Sequence, residues 1–201
     1  MAPSPHDVDW YLFDYGMVLS LAPDAADWQR LNEATGVALD AADSTYWDHR
    51  HAFDAGDLTS AAYWSAVLER DVDAAQVEQL DRLDAALWAR QDPATAAVLQ
   101  QLTARGAQLA LLSNMPVRQS EIFTAEADWP RPFDRLFFSG PLRLAKPDRR
   151  IYEHVLAELG APASAVVFID DKTENLEAAR GVGMRTVHHT QGVDLAAELG
   201  L

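Results

Sequence analysis

The sequence predicts an α/β fold: a parallel sheet covered by helices on both faces and interrupted once by an all-helical insert. Three observations predict it. From Pro93 onward, short apolar runs alternate with helix-period segments. Near the start, Trp10-Tyr11-Leu12-Phe13 climbs to a single aspartate, Asp14, without the polar alternation of a half-exposed strand. Between Leu21 and Asp92 there is no convincing strand, and the composition shifts: this stretch holds fifteen Asp and Glu against five Arg, the rest of the chain sixteen acids against eleven bases.

Taken in order, Asp9 to Asp14 reads as a buried strand. Asp24 is placed to cap a helix that stops near Gly36. Thr59 caps a second, with Ala61, Trp64 and Leu68 on one face. Val77, Leu80, Leu83 and Leu87 form a third apolar stripe. Ala94, Val98 and Leu102 mark a helix ended near Gly106, and Gln108 to Ser113 is a strand. A helix over Val117 to Glu126 and a strand over Phe133 to Ser139 follow. Pro147 stands where a helix opens, at the favoured first-turn position, with Ile151, Val155 and Leu159 inward and Gly160 at its end. Ala165 to Asp170 is a strand, Lys172 to Arg180 a helix closed by Gly181, Met184 to His188 a fifth strand, and Leu195 to Leu199 a last helix. The division expected is a sheet-bearing core of residues 1–20 and 93–201 around a helical unit of 21–92.

Composition narrows the function. The 201 residues carry a formal net charge of -15, which argues against nucleic acid and anionic membranes as partners, since a phosphate backbone needs a basic surface. A small phosphorylated ligand needs only a local positive site. With no cysteine, disulfides and thiol chemistry are excluded. No apolar stretch is long enough to span a bilayer, and Met1 to Asp7 does not read as a signal peptide, so a cytoplasmic location is expected. Lys146 and Lys172 are the only lysines.

In open α/β sheets, ligands bind beyond the carboxyl ends of the strands. Here the first strand ends at Asp14, the second at Ser113-Asn114 and the fourth at Asp170-Asp171, while Lys146 lies in the loop before the Pro147 helix. Carboxylates and a backbone carbonyl suit Mg²⁺. A metal and a lysine neutralise phosphoryl oxygens, and a carboxylate is a known nucleophile in phosphoryl chemistry. Gly16 is read as the residue that lets the backbone turn its carbonyl toward the metal.

Asp14 with Val18-Leu19, Ser113-Asn114, Lys146-Pro147, and Asp170-Asp171 with Asn175 resemble the four ordered motifs of the haloacid dehalogenase-like (HAD) superfamily. Leu144-Ala145-Lys146-Pro147-Asp148 and Phe168-Ile169-Asp170-Asp171 resemble its small sugar-phosphate phosphatases and the N-terminal phosphatase domain of soluble epoxide hydrolase. The resemblance implies a Rossmann-like three-layer core with sheet order 5-4-1-2-3 and an inserted helical C1 cap. It implies a Mg²⁺-dependent phosphatase of a small phosphorylated metabolite, a sugar phosphate among the candidates, acting through an aspartyl-phosphate. In it Asp14 is nucleophile and metal ligand, the Gly16 carbonyl and Asp171 are further ligands, and Asp170 and Asn175 support the orientation of Asp171. Ser113 binds the phosphoryl group, Asn114 shapes that wall, and Lys146 bridges nucleophile and phosphate.

One departure stands out. Phosphatases of the superfamily carry a second aspartate two residues after the nucleophile, as general acid and base; here that residue is Gly16, followed by Met17 where glycine is common. Two alternatives stay open on that ground: a haloacid dehalogenase-type hydrolase, and a catalytically weak or non-enzymatic domain. In the insert, Trp47, His49, Arg50, His51 and Phe53 are placed to face a substrate; the reading preferred is packing for Trp47 and Phe53, and solvent for the histidines. Arg143, Arg149 and Arg150 read as surface residues, and His188-His189 lacks metal-site spacing. Oligomeric state is not legible.

Overall fold

The computed structural model describes residues 8–201; the reading of Met1 to Asp7 lies outside them. Five strands, β1 (Trp10–Phe13), β2 (Gln108–Ser113), β3 (Arg135–Phe138), β4 (Val166–Asp170) and β5 (Arg185–His188), form one parallel sheet in the order β3-β2-β1-β4-β5. This is the expected order, with β1 at the centre.

Strand alternation splits the core into two layers. Tyr11, Phe13, Leu109, Leu111, Val167 and Ile169 face one side, under helices α6 (Pro93–Ala104), α7 (Val117–Glu126) and α11 (Leu195–Glu198). Trp10, Leu12, Ala110, Leu112, Val166 and Phe168 face the other, under α9 (Arg149–Leu159) and α10 (Thr173–Gly181). Both faces of the central strands are buried, which is why they read as unbroken apolar runs.

The segment after β1 is helical throughout: α1 (Ala25–Thr35), α2 (Thr45–Asp48), α3 (Arg50–Asp54), α4 (Ser60–Val67) and α5 (Ala74–Leu87). Asp24 caps α1 in a reciprocal capping box with Asp27, and the Thr59 hydroxyl accepts from the Ala62 amide at the head of α4. These helices enclose their own apolar cluster, including Trp28, Tyr46, Phe53, Tyr63, Trp64 and Leu80. The inward face of α4 is Tyr63, Trp64, Val67 and Leu68; Ala61 is exposed.

Two further details differ from the sequence reading. The helix after Lys146 begins at Arg149, because the Asp148 carboxylate accepts from the Arg150 amide and caps it; Pro147 therefore precedes the cap, not the first turn. The strand read over Phe133 to Ser139 is only Arg135–Phe138, and Ser139–Leu142 coils into a short helix, α8. Among the described residues no helix is long and apolar enough to cross a membrane.

Candidate active site

β1 delivers Asp14 to the carboxyl edge of the sheet. The Asp14 amide donates to the Ile169 carbonyl at 2.9 Å, extending the ladder by one residue, and the chain then turns: the amides of Leu19 and Ser20 donate to the Tyr15 carbonyl at 2.8 and 2.9 Å. The left-handed residue of this turn is Met17, at φ 61°, and not Gly16. A Cβ built at Gly16 meets nothing within 4 Å. The turn thus does not use the conformational freedom of Gly16, which corrects the sequence reading.

Asp14 Oδ1 accepts from its neighbour's amide, Tyr15 N, at 2.7 Å and pairs with Lys146 Nζ at 2.8 Å. The same ammonium reaches Asp170 Oδ2 at 2.7 Å, with the lysine side chain 1% exposed. Asn114 fixes the Lys146 backbone from both sides: Lys146 N donates to its Oδ1 at 2.8 Å, and its Nδ2 donates to the Lys146 carbonyl at 2.9 Å. Asn114 lines the cavity and also holds the loop that carries the lysine.

Asp170 is saturated. Besides Lys146 it accepts from Asn175 Nδ2, 3.0 Å from each oxygen, and from the Lys172 amide at 2.8 Å. Asn175 therefore orients Asp170, not Asp171 as the resemblance implied. Asp171 is held through its backbone, where its carbonyl accepts from His188 Nε2 at 2.9 Å. One carboxylate oxygen from each of Asp14, Asp170 and Asp171 lies within 4.8 Å of the others. Because Asp170 spends its lone pairs on Lys146, Asn175 and Lys172, the donors left for a cation are Asp14 and Asp171. A hard oxygen-binding ion such as Mg²⁺, which keeps several waters, suits this set, with Gly16 lining the same cavity.

Three acids and one lysine at such separations perturb one another. Burial pushes Asp14 up to about 7, against the lowering effect of the Lys146 ammonium, with Asp170 and Asp171 raising it further. Asp171 is raised by burial and by Asp170. Burial pushes Lys146 down, but Asp14 and Asp170 outweigh it and hold the ammonium above its ordinary value.

Above this carboxyl edge lies a cavity of about 330 Å³. Asp14, Gly16, Ser113, Asn114, Lys146, Asp171 and Asn175 line its floor, so the structure brings these predicted residues together; Asp170 lies just beneath them. Its roof comes from the helical segment: Trp47, Arg50, His51, Asp54 and Trp88. Phe53 is core, stacked on Tyr63 at 4.1 Å, as read. Trp47 is not mere packing, since it is 38% exposed and faces the cavity, and His51 lines it too. His49 is exposed and lies outside it. Arg149 and Arg150 are exposed and paired with Glu153 and Asp148. Sequence reasoning missed Asp54, Trp88, Met115 and Gln119; the one available signal was Arg50 followed four residues later by Asp54, the spacing of a helical ion pair.

Residues 21–183 match the family model of haloacid dehalogenase-like hydrolases. Sesquiterpene phosphatase astK of Aspergillus oryzae is 32% identical over 111 residues, 55% of this chain and 56% of that protein, so the match spans only about half of that relative's length. The GMP/IMP nucleotidase YrfG of Escherichia coli is 31% identical over 189 residues, covering 89% of this chain and 81% of that protein. Among solved structures, a HAD family enzyme from Bacteroides thetaiotaomicron in complex with magnesium and inorganic phosphate superposes with a TM-score of 0.69 at 19% identity, covering 94% of this chain and 98% of the other.

Proposed function

We propose that this chain, which belongs to the haloacid dehalogenase-like hydrolase family, is a Mg²⁺-dependent phosphomonoesterase. Its substrate would be a small phosphorylated metabolite, and its nucleophile Asp14. One observation carries this reading: Asp14, Asp171 and Ser113 from three strand ends and Lys146 from a loop line one cavity, in which Asp14 pairs with the buried Lys146. Asp14, Asp54 and Asp171 offset Lys146, Lys172 and Arg50 along the cavity, so a cation held by Asp14 and Asp171 would supply the positive charge that draws a phosphate ester.

In this reading residues 21–92 act as the cap over a core of 1–20 and 93–201. Asp14, Asp171 and the Gly16 carbonyl would hold the ion, which when bound supplies Lewis-acid neutralisation of the phosphoryl oxygens. Lys146 favours the ionised form of Asp14 against its burial and offers its remaining proton to the phosphoryl group. Ser113, buried at the end of β2, has a hydroxyl whose only hydrogen bond among the described residues is a long 3.5 Å contact to the Asn114 carbonyl, leaving it available to a phosphoryl oxygen. Asp14 attacks phosphorus, and water later releases phosphate from the aspartyl-phosphate. The apolar surface of Trp47, Trp88, Met17 and Met115 in the cavity favours esters whose alcohol has an apolar or aromatic face over a bare sugar phosphate.

The test is phosphate release from a panel of sugar, nucleotide, aryl and isoprenoid monophosphates, with Mg²⁺ and with EDTA, for wild type and Asp14→Asn. Release by wild type alone, and only with Mg²⁺, is expected. No release from any ester by pure wild type would sink the reading, and equal rates for the two proteins would remove Asp14 from it.

A further inference from the structure

Position 16 carries no carboxylate, so a phosphomonoesterase built on this chain has to find the proton for its leaving group elsewhere in the cavity. Three acids line the cavity: Asp14, Asp54 and Asp171. The first is the nucleophile and the last a metal donor. Of the other proton carriers there, Lys146 is locked between two carboxylates, and the Tyr15 hydroxyl donates to the Trp88 carbonyl at 2.8 Å. Lys172 and His51 are exposed, and no hydrogen bond orients the His51 ring among the described residues.

Asp54 differs from all of these. Its side chain is 16% exposed, and Oδ1 accepts from Arg50 Nε at 2.7 Å. Oδ2 has no hydrogen-bond partner among the described residues, on a side chain that lines the cavity. The segment bearing it is fastened to the core at three points. Ser139 Oγ donates to the Asp54 carbonyl, Arg50 Nη2 donates to Gln119 Oε1 at 3.0 Å, and Gly56 packs so closely that an added Cβ would lie 2.3 Å from the Gly140 carbonyl oxygen. The carboxyl is thus held in place over the floor with one oxygen free.

We propose, resting on the phosphomonoesterase reading, that Asp54, carried on the helical insert, is the general acid and base of this active site, in place of the carboxylate missing at Gly16. As the Asp14 carboxylate forms a bond to phosphorus, the bond from phosphorus to the ester oxygen breaks, and that oxygen takes the proton of the neutral Asp54 carboxyl and leaves as the alcohol. Asp54, now a carboxylate, takes a proton from the water that attacks the aspartyl-phosphate. Inorganic phosphate departs, Asp14 is again a carboxylate, and Asp54 is again neutral. Burial raises Asp54 to about 6 against the lowering effects of Arg50 and Lys172, with Asp84 raising it, so both protonation states are accessible near neutral pH.

The experiment is a leaving-group series: kcat/KM for phosphate monoesters from p-nitrophenyl phosphate to simple alkyl phosphates, with Mg²⁺, for wild type and Asp54→Asn. The amide oxygen of the variant can still accept from Arg50 Nε. The expected loss is roughly 10² to 10⁴-fold on alkyl esters, the usual weight of general acid catalysis, and far smaller on the nitrophenyl ester, whose anion needs no proton. A uniform loss across the series would show Asp54 to be structural, and no loss would overturn the proposal outright. Should the variant not fold, the wild-type series decides alone: a shallow dependence on leaving-group pKa is expected, and a steep one contradicts a proton donor. A wild type inert toward every ester would instead sink the phosphomonoesterase reading itself, and the assignment of Asp54 with it.

Discussion

Lys146→Met removes the one cation between Asp14 and Asp170 while nearly preserving side-chain volume. The ammonium stands 2.8 and 2.7 Å from the two carboxylates and is almost wholly buried. Removing one partner of such a cluster leaves uncompensated charge, which costs about 3–5 kcal/mol in buried pairs. The variant's cheapest escape is to carry one more proton than the wild type. Starting from an ordinary aspartate value of 3.8, that costs about 4 kcal/mol at pH 7 and about 2 kcal/mol at pH 5, at about 1.4 kcal/mol per pH unit. The sign is set by Asp14. Its folded pKa is pushed above the unfolded value, so the folded state keeps its stability at low pH and loses it as pH rises. Urea unfolding in EDTA at the two pH values measures both numbers. A loss under about 1 kcal/mol at pH 7, well below that range, or the same loss at both pH values, would refute the role of Lys146 as buried counter-ion.

Gly56→Ala forces a Cβ against the Gly140 carbonyl at a residue whose φ is 79°. We expect it to cost about 1–3 kcal/mol, as overpacking does, and to lower phosphatase rates for good and poor leaving groups alike; wild-type stability would show that the insert is not held this closely to the core. Gly16→Asp has room for its side chain at the cavity, so in the Asp54→Asn background it should recover at least part of the alkyl phosphate activity. Gly16→Ala serves as the control, and equal recovery by both would show that no proton donor had been restored.

Much of the floor of this site was legible because its residues sit at strand ends or just beyond them. An apolar run that stops on Asp14, on Ser113 or on Asp170 marks both the sheet and its carboxyl edge, and β2 and α7 have the bounds their periodicity predicts. The order of the sheet came from the resemblance of these motifs and is the order observed. The roof was harder. Helices α2, α3 and α8 span only four or five residues, too short for a 3.6-residue period to declare itself. The value of Asp54 lies in a tertiary fact, the docking of α3 onto Ser139 and Gln119, which no local pattern encodes. Pro147 and Gly16 depart from expectation for a common reason: each residue type has a favoured use, and here a neighbour performs it, Arg149 as the first helical residue and Met17 as the left-handed residue.

Covalent phosphorylation of Asp14 is tested most directly by acid-quenching the enzyme during turnover of its best phosphate ester with Mg²⁺, reducing the trapped acyl phosphate with borohydride, and locating the modified residue by peptide mass spectrometry. Reduction to homoserine at position 14 is expected, with its loss in Asp14→Asn or in EDTA. Steady phosphate release with position 14 unmodified at every quench time, or with the reduced residue elsewhere, would contradict it.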